Sequence, residues 1–431
     1  MKGKTRKISF ILLFSFLFLF AQGCWGSRET DELAYILAIG IDKGKENIIQ
    51  VTFQIALPRA LGGGGGGGGG GEGGKSTEIV SIEASSLFGA LQLANAFVSR
   101  DLTFIHNKVV VVSEEIAREG LDKYINPLVR SREIRRNNFL LVTKGKARDF
   151  LEKNQSILEK NPSRQFELLL QAKNFTGFMP FATIQQYHSS LKTPGRQPIT
   201  ALVGVNEGKE GKEKEKSFVE KIEREVAYIP GEIPRQGGNK AEVIGLAVFN
   251  GGKLVGYLNG AETRFYQMVT GDFQSAIFTF PDPQKAGDSF VLVVELKKGR
   301  SPAIKATFPQ GRPVIEVNLI LEGEIFSIQS GINYKRGQKE ADLQKFLEDY
   351  ISQEVRKVIA KTQKEFKSDI FGFGERTRTY FWTWKDWENF DWLERYPQAE
   401  IKVNTRVEIR RTGLMLKTEP VESYTGGGQN E

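Results

Sequence analysis

The longest regular pattern in this 431-residue chain runs from Ala341 to Phe366. Leu343, Phe346, Leu347, Tyr350, Ile351, Val355, Val358, Ile359, Thr362 and Phe366 recur at a spacing of three to four residues. That is one face of an amphipathic α-helix of about seven turns, with Lys, Glu, Asp and Arg on the other face. Such a stripe has to lie against a core. A second pattern follows it: Ile401, Val403, Thr405, Val407 and Ile409 alternate with Lys402, Asn404, Arg406 and Glu408. A period of two predicts a strand over 400–410 with one face on a core and one in solvent.

Upstream, Leu33 to Asp42 and Asn47 to Leu57 read as strands, rich in Ile, Val, Phe and Tyr and separated by the turn-forming GKEN. Glu78 to Glu83 is a further strand. The stretch after Ser85 and Ser86 predicts a capped helix with Leu87, Leu91, Ala94 and Val98 on one face. Lys108 to Val112 is a buried strand by its valine run, and Phe139 to Thr143 is another, with helices around them up to Lys153. Two more amphipathic helices are expected near 163–173 and 182–191. The second half reads as strands over 243–249, 253–258, 290–297, 303–307 and 314–329. The expected class is α+β, with mixed, mostly antiparallel sheets, packed helices and several domains. The boundaries expected are a signal peptide over 1–23, an N-terminal α/β domain over 24–205 with a flexible glycine loop at 62–74, and a charged linker at 206–217. A strand-rich middle domain over 218–330 and a C-terminal helix-plus-strand domain over 331–420 follow; these two can form one unit. The linker assignment rests on four Lys, four Glu and two Gly within NEGKEGKEKEKS, which holds no large apolar residue.

The N-terminus bounds the compartment. Lys2, Lys4, Arg6 and Lys7 precede an apolar run from Ile8 to Ala21, and small residues lead to Cys24. This is an export signal, too short for a comfortable membrane span. It holds four of the positive charges and no acid, so only +4 of the formal +8 remains beyond it. That balance does not point to nucleic acid. Cys24 is the only cysteine, so the chain has no internal disulfide. Its place after the signal points to bacterial lipidation, in which the thiol takes a diacylglyceryl group. Two acyl chains, at about 0.8 kcal/mol per buried CH₂, anchor a protein stably without a spanning helix.

Residues 69–76 satisfy G-x-x-x-x-G-K-S, the phosphate-cradling pattern, through Gly69, Gly74, Lys75 and Ser76. The ten-glycine run from Gly62 to Gly71 supplies the first glycine trivially, and strand-like TEIVSIE follows where a helix is required. No nucleotide or other cofactor is expected. His106 and His188 are the two histidines and are far apart, so no metal site is expected. His106 reads as a hydrogen-bonded structural residue. No catalytic residue stands out, and the expectation is a non-enzyme. Trp382, Trp384, Trp387 and Trp392 crowd one short segment, where core packing is the commoner cause and a membrane or partner surface the other.

Four stretches, in order, resemble the Ger(x)C lipoproteins, the C subunits of nutrient germinant receptors of endospore-forming bacteria. The first is CWGSRETDELAYILAIGIDK, in which Cys24, Trp25, Arg28, Glu29, Leu33, Gly40 and Asp42 match. The second is RDLTFIHNKVVVVSEEIAREGLDKYINPLVRSREIRRN, with Arg130, Glu133 and Arg135 in its tail. GLAVFNGGKLVGYLNGAETRFY and KTQKEFKSDIFGFG, followed by Trp387 and Phe390, are the third and fourth. The resemblance implies three α/β domains of unusual topology and no catalytic residues. It implies a subunit needed for germination in response to nutrients, lipid-anchored at Cys24 to the outer face of the spore inner membrane. Its partners would be the integral-membrane A-type and B-type receptor subunits. The alternative is an extracytoplasmic lipoprotein that binds a solute by itself.

Overall fold

A computed structural model of the chain describes residues 29–411, apart from 30, 58–75, 156–157, 160–161, 209–216, 286, 288 and 336. Its larger sheet is built from β1 (Leu33–Lys43), β2 (Ile49–Ala56), β3 (Thr77–Ala84), β4 (Asp101–Thr103), β5 (Val109–Ser113), β6 (Phe139–Lys144), β7 (Ile199–Val205), β8 (Ala241–Asn250) and β9 (Lys253–Leu258). The order is β3-β2-β1-β5-β6-β7-β8-β9, with β4 beside the start of β1. β1, β5, β6 and β7 are mutually parallel and form the centre. Antiparallel hairpins close both flanks.

The valine run explains the centre. Val109 to Val112 are at most 1% exposed, and they alternate between two separate cores. A strand covered on both faces needs no polar alternation, which is the signature of parallel sheet sheathed by helices. On one face lie α1 (Leu87–Ala94), α2 (Glu114–Glu119) and α3 (Asp122–Arg130); on the other lie α4 (Ala147–Lys153) and α5 (Pro162–Gln171); α6 (Ile184–Leu191) joins the first group.

The smaller sheet has order β10-β11-β12-β13, from β10 (Ser275–Pro281), β11 (Val291–Thr307), β12 (Val314–Ile328) and β13 (Glu400–Arg411). Between and around the sheets run α7 (Phe218–Arg224), α8 (Gly260–Thr270) and α9 (Gln338–Lys361). α9 is the long helix expected from the sequence, and Thr362–Phe366 continues it as a π-helical turn. Its Leu343, Leu347, Ile351, Val355, Val358 and Ile359 are buried against the smaller sheet. Its polar side chains do a second job along the edge strand β13. The N–H groups of Val407 and Ile409 donate to Glu348 (3.2 Å) and Gln344 (3.0 Å), and Arg356 donates to the Val403 carbonyl (3.0 Å). The open edge is thereby covered, and an uncovered edge is a template for aggregation.

Three sequence expectations change. The strands at 243–249 and 253–258, assigned to a middle domain, belong to the larger sheet, because Ile199 of β7 pairs with Val248 of β8. The ladder therefore crosses the 206–217 segment. The two strands expected over 290–297 and 303–307 are one bulged strand, β11, whose register shifts around Arg300. β7 and β10 were not legible as strands. The ends of the charged segment are ordered: Asn206 is buried and donates to Glu242 (2.7 Å), and Ser217 caps α7. Residues 209–216 and the glycine loop lie outside the described residues. The loop's flanks do not, since Leu57 donates to the Ser76 carbonyl at 2.9 Å where β2 hairpins into β3.

Candidate functional site

Each of the four sequence stretches can be followed to what its residues hold. In the first, β1 brings Gly40 under α4. A Cβ there would meet Leu151, Thr52 and Ala147 side chains at 3.1–3.3 Å, so glycine lets the helix lie close. Two residues on, buried Asp42 accepts the N–H groups of Ala147 (2.7 Å) and Arg148 (2.9 Å). It caps from a distant strand a helix whose own N-cap, Lys146, has no capping side chain. Burial raises its carboxyl above the ordinary range, opposed by those two N–H groups.

In the second stretch, Glu133 turns inward and accepts from the Thr103 hydroxyl (3.0 Å) and the Phe104 N–H (2.9 Å). Asn107 and Asn138 are buried; the Asn138 amide donates to Asn107 (2.7 Å), which in turn reaches the carbonyls of Val109 (3.2 Å) and Leu37 (3.4 Å). His106 is exposed and stands edge-on to Tyr35, with ring centroids 4.7 Å apart. His188 lies on α6, where burial lowers its pKa.

The third stretch makes the junction between the sheets. Asn259 and Glu262 form a capping box on α8, and Glu262 also pairs with Lys361 of α9 (2.8 Å). Arg264 is 4% exposed, between the rings of Phe178 (4.4 Å) and Phe278 (4.7 Å). It donates to the carbonyls of Thr176 (2.8 Å) and Ile277 (3.0 Å), and burial pulls its pKa down to about 10. Gln267 donates to the carbonyls of Gly177 (3.1 Å) and Met179 (2.7 Å). One turn of helix thus holds the first sheet's covering segment and the second sheet's first strand. Gly256 faces Phe366 so closely that a Cβ would sit 2.2 Å from its ring.

The fourth stretch closes that junction. Asp369 is fully buried, and its carboxylate accepts from the N–H groups of Phe371 (3.1 Å), Gly372 (3.0 Å) and Gly374 (2.9 Å) and from the Trp392 indole (2.8 Å). Burial pushes its pKa up to about 6, opposed by the N–H groups of Gly374 and Phe373, the Trp392 indole and the Arg196 charge. Its carbonyl accepts from the Gln197 N–H (2.8 Å), and Ser368 donates to the Phe249 carbonyl (2.6 Å), so the loop clamps the larger sheet. The four tryptophans divide. Trp387 and Trp392 are buried, whereas Trp382 is 98% and Trp384 51% exposed.

Asp42, Glu133 and Asp369 thus all accept from backbone N–H groups and orient the segments that carry them. Among the described residues, no group of three or more His, Cys, Asp and Glu could hold a metal, and no helix is long and apolar enough to cross a membrane. Cys24, the expected lipidation site, lies outside the described residues. A cavity of about 640 Å³ lies between α7, α8, β10 and α9, with Phe265, Phe280, Phe346, Tyr350 and Val219 among its walls. Sequence reasoning missed the roles of Arg264 and Asp369. The available signal was a charged residue inside an otherwise apolar or glycine-rich stretch, which burial turns into a clamp.

The comparisons agree with the ordered stretches. Residues 26–205 match the family described as "Spore germination protein N-terminal domain", and residues 244–413 match "Spore germination B3/ GerAC like, C-terminal". "Spore germination protein KC" of Bacillus subtilis (strain 168) is 29% identical over 95% of this chain and 97% of its own length. "Spore germination protein B3" of the same organism is 22% identical over 93% and 97%. A crystal structure of the GerBC protein is 20% identical with a TM-score of 0.48, covering 86% of this chain and 96% of that one. With both halves of the chain matched, in order and at full length, this chain belongs to the Ger(x)C family of spore germination proteins.

Proposed function

We propose that the chain is a lipid-anchored, non-enzymatic C subunit of a spore nutrient germinant receptor. It works at the outer face of the spore inner membrane, beside integral-membrane A-type and B-type subunits. The observation that carries this reading is the pair of family matches over 26–205 and 244–413, the first starting two residues after the cysteine that ends an export pattern. The structure supports it through chemistry: the buried carboxylates of the family stretches hold loops and caps, which suits a docking subunit. Replacing Cys24 by Ala is expected to release the protein from membranes and to impair germination by nutrients. Unchanged fractionation together with unchanged germination defeats the reading.

A second reading, solute binding by this chain alone, is favoured by the aromatic-walled cavity beneath α7. Its size suits a small molecule. Calorimetric titration of the protein with nutrient amino acids and sugars separates the two. One-to-one saturable binding, lost on substituting Tyr350 by Ala, favours the second.

A further inference from the structure

The parallel centre gives the larger sheet two unlike ends. Ala38 is level with Val109, Val109 with Phe139, and Leu141 with Ala201, so β1, β5, β6 and β7 all begin at the same end. The chain from the N-terminus enters there, and the Asp101 N–H donates to the Glu32 carbonyl (2.9 Å) just before β1. Only eight residues separate Cys24 from Leu33. Extended, they and their flanking bonds reach about 30 Å. Whatever carries Cys24 is close to this end.

Three surface features gather at the same end. The loop before β6 exposes Arg132, Arg135 and Arg136, and none of them has an ion-pair partner among the described residues. The acid in that loop, Glu133, is turned inward, so the loop presents positive charge. The exposed acids at this end are Glu29, Asp31 and Glu32 on the entering chain, and Asp386, Glu388 and Asp391 on the tryptophan segment, where the Trp384 indole donates to Glu388 (2.7 Å). Phe97, 63% exposed, stands on the segment from α1 to β4. Finally, residues 195–198 lead into β7 and carry the tryptophan segment. A Cβ on Gly195 would lie 2.7 Å from Trp387, and the Trp384 ring is 4.9 Å from that of Trp387. Trp382, nearly fully exposed, lies two residues before Trp384.

We propose that this end of the larger sheet is a lipid-facing surface. Arg132, Arg135 and Arg136 meet anionic headgroups, and Trp382 and Trp384, with Phe97, enter the interfacial zone. Indoles are stable at that depth, and surface arginines are drawn to anionic leaflets. The proposal rests on the reading that Cys24 carries the lipid. It adds that the folded domain lies on the membrane in one orientation instead of swinging on its tether.

Two measurements test it. The lipidated full-length chain is placed in phosphatidylglycerol vesicles with brominated acyl chains. In a Trp25→Phe background, which removes the indole beside the anchor, tryptophan fluorescence is expected to be quenched, and adding Trp382→Phe/Trp384→Phe is expected to remove most of the quenching. Quenching unchanged by that variant overturns the proposal. So does quenching of Trp382 that appears only when the membrane subunits are co-reconstituted, which would assign the surface to protein. Second, a chain starting at Trp25 keeps all the described residues and has no anchor. Its binding to phosphatidylglycerol vesicles is expected to fall about a hundredfold in Arg132→Gln/Arg135→Gln/Arg136→Gln. Equal binding by variant and parent, equal binding to pure phosphatidylcholine, or no binding by the parent overturns the proposal. A full-length chain that fails to fractionate with membranes defeats the anchor reading instead, and the anchor-free measurement still decides this one.

Discussion

The two sheets solve the same burial problem in opposite ways. The larger one is sheathed on both faces, so Val109 to Val112 point alternately into two cores and none reaches water. The smaller one is sheathed on one face by α9; β12 and the first half of β11 alternate between buried and half-buried residues, and β13 sets Val403, Val407 and Ile409 inward among exposed and half-buried neighbours. The first arrangement makes every central residue matter. The second concentrates stability in one face and leaves the edge to be managed separately, by Gln344, Glu348 and Arg356. An apolar run and an alternating run are thus not a strong and a weak strand; they are strands with two covered faces and with one.

The sharpest break of this comparison is a matched pair of aspartates. Val111→Asp puts an unpaired charge between two layers and is expected to cost about 4 kcal/mol or more, enough to prevent folding. Val293→Asp, on the half-buried face of β11, is expected to cost about 1–2 kcal/mol. Chemical denaturation of both variants checks it, and equal losses would erase the distinction between the sheets.

The clamp that joins the sheets comes next. Asp369→Asn keeps the shape but turns an acceptor into a donor facing N–H groups, and is expected to cost about 3 kcal/mol. The folded-state pKa, about 6, lies above the ordinary 3.8. The folded protein therefore binds this proton more tightly than the unfolded chain. The associated stability, about 3 kcal/mol for a shift of this size, is full below about pH 4 and is lost as pH rises through about 6. A urea-midpoint profile over that window is expected to fall less steeply with pH in the Asn variant than in the native protein, because the Asp369 contribution is gone while that of the raised Asp42 carboxyl remains.

A smaller effect sharpens the account of the edge. Gln344→Ala/Glu348→Ala is expected to cost about 1–2 kcal/mol and to raise the tendency to self-associate, read by sedimentation at increasing concentration. A variant that stays monomeric would show that β13 needs no cover. The smallest effect is expected from deleting Gly62 to Gly71 between β2 and β3. Loop closure changes by about 0.6 kcal/mol per doubling of length, so the melting midpoint should barely move. A large loss would give the loop a structural role.

The elements whose period is complete were legible. α9 repeats its apolar face over its whole length and β13 alternates over ten residues, and both are found where the spacing puts them, within a few residues at the ends. β7 was not legible: ITALVGV is short and buried on both faces, so it carries no alternation and resembles any apolar connector. The partition of strands between sheets was not legible either. β8 follows a charged segment that suggests a boundary, yet its place is decided by pairing with β7, a contact that local composition cannot express.

The sequence by itself determined the export pattern ending at Cys24, the α+β character, the family, and the β-strand that follows Ser76 where a phosphate loop requires a helix. These follow from local order: charge next to an apolar run, periodicity, and the sequence of the four stretches. Tertiary structure alone decided what the residues of those stretches do. Asp42 caps a helix that starts 105 residues later, and Arg264 and Asp369 fasten one sheet to the other. It also decided which tryptophans face water and that they share one end of the sheet with the entering chain and the arginine loop. The physical reason is that a charged or aromatic residue has no role of its own. Burial, donors and neighbours assign it, and those come from parts of the chain that meet only after folding.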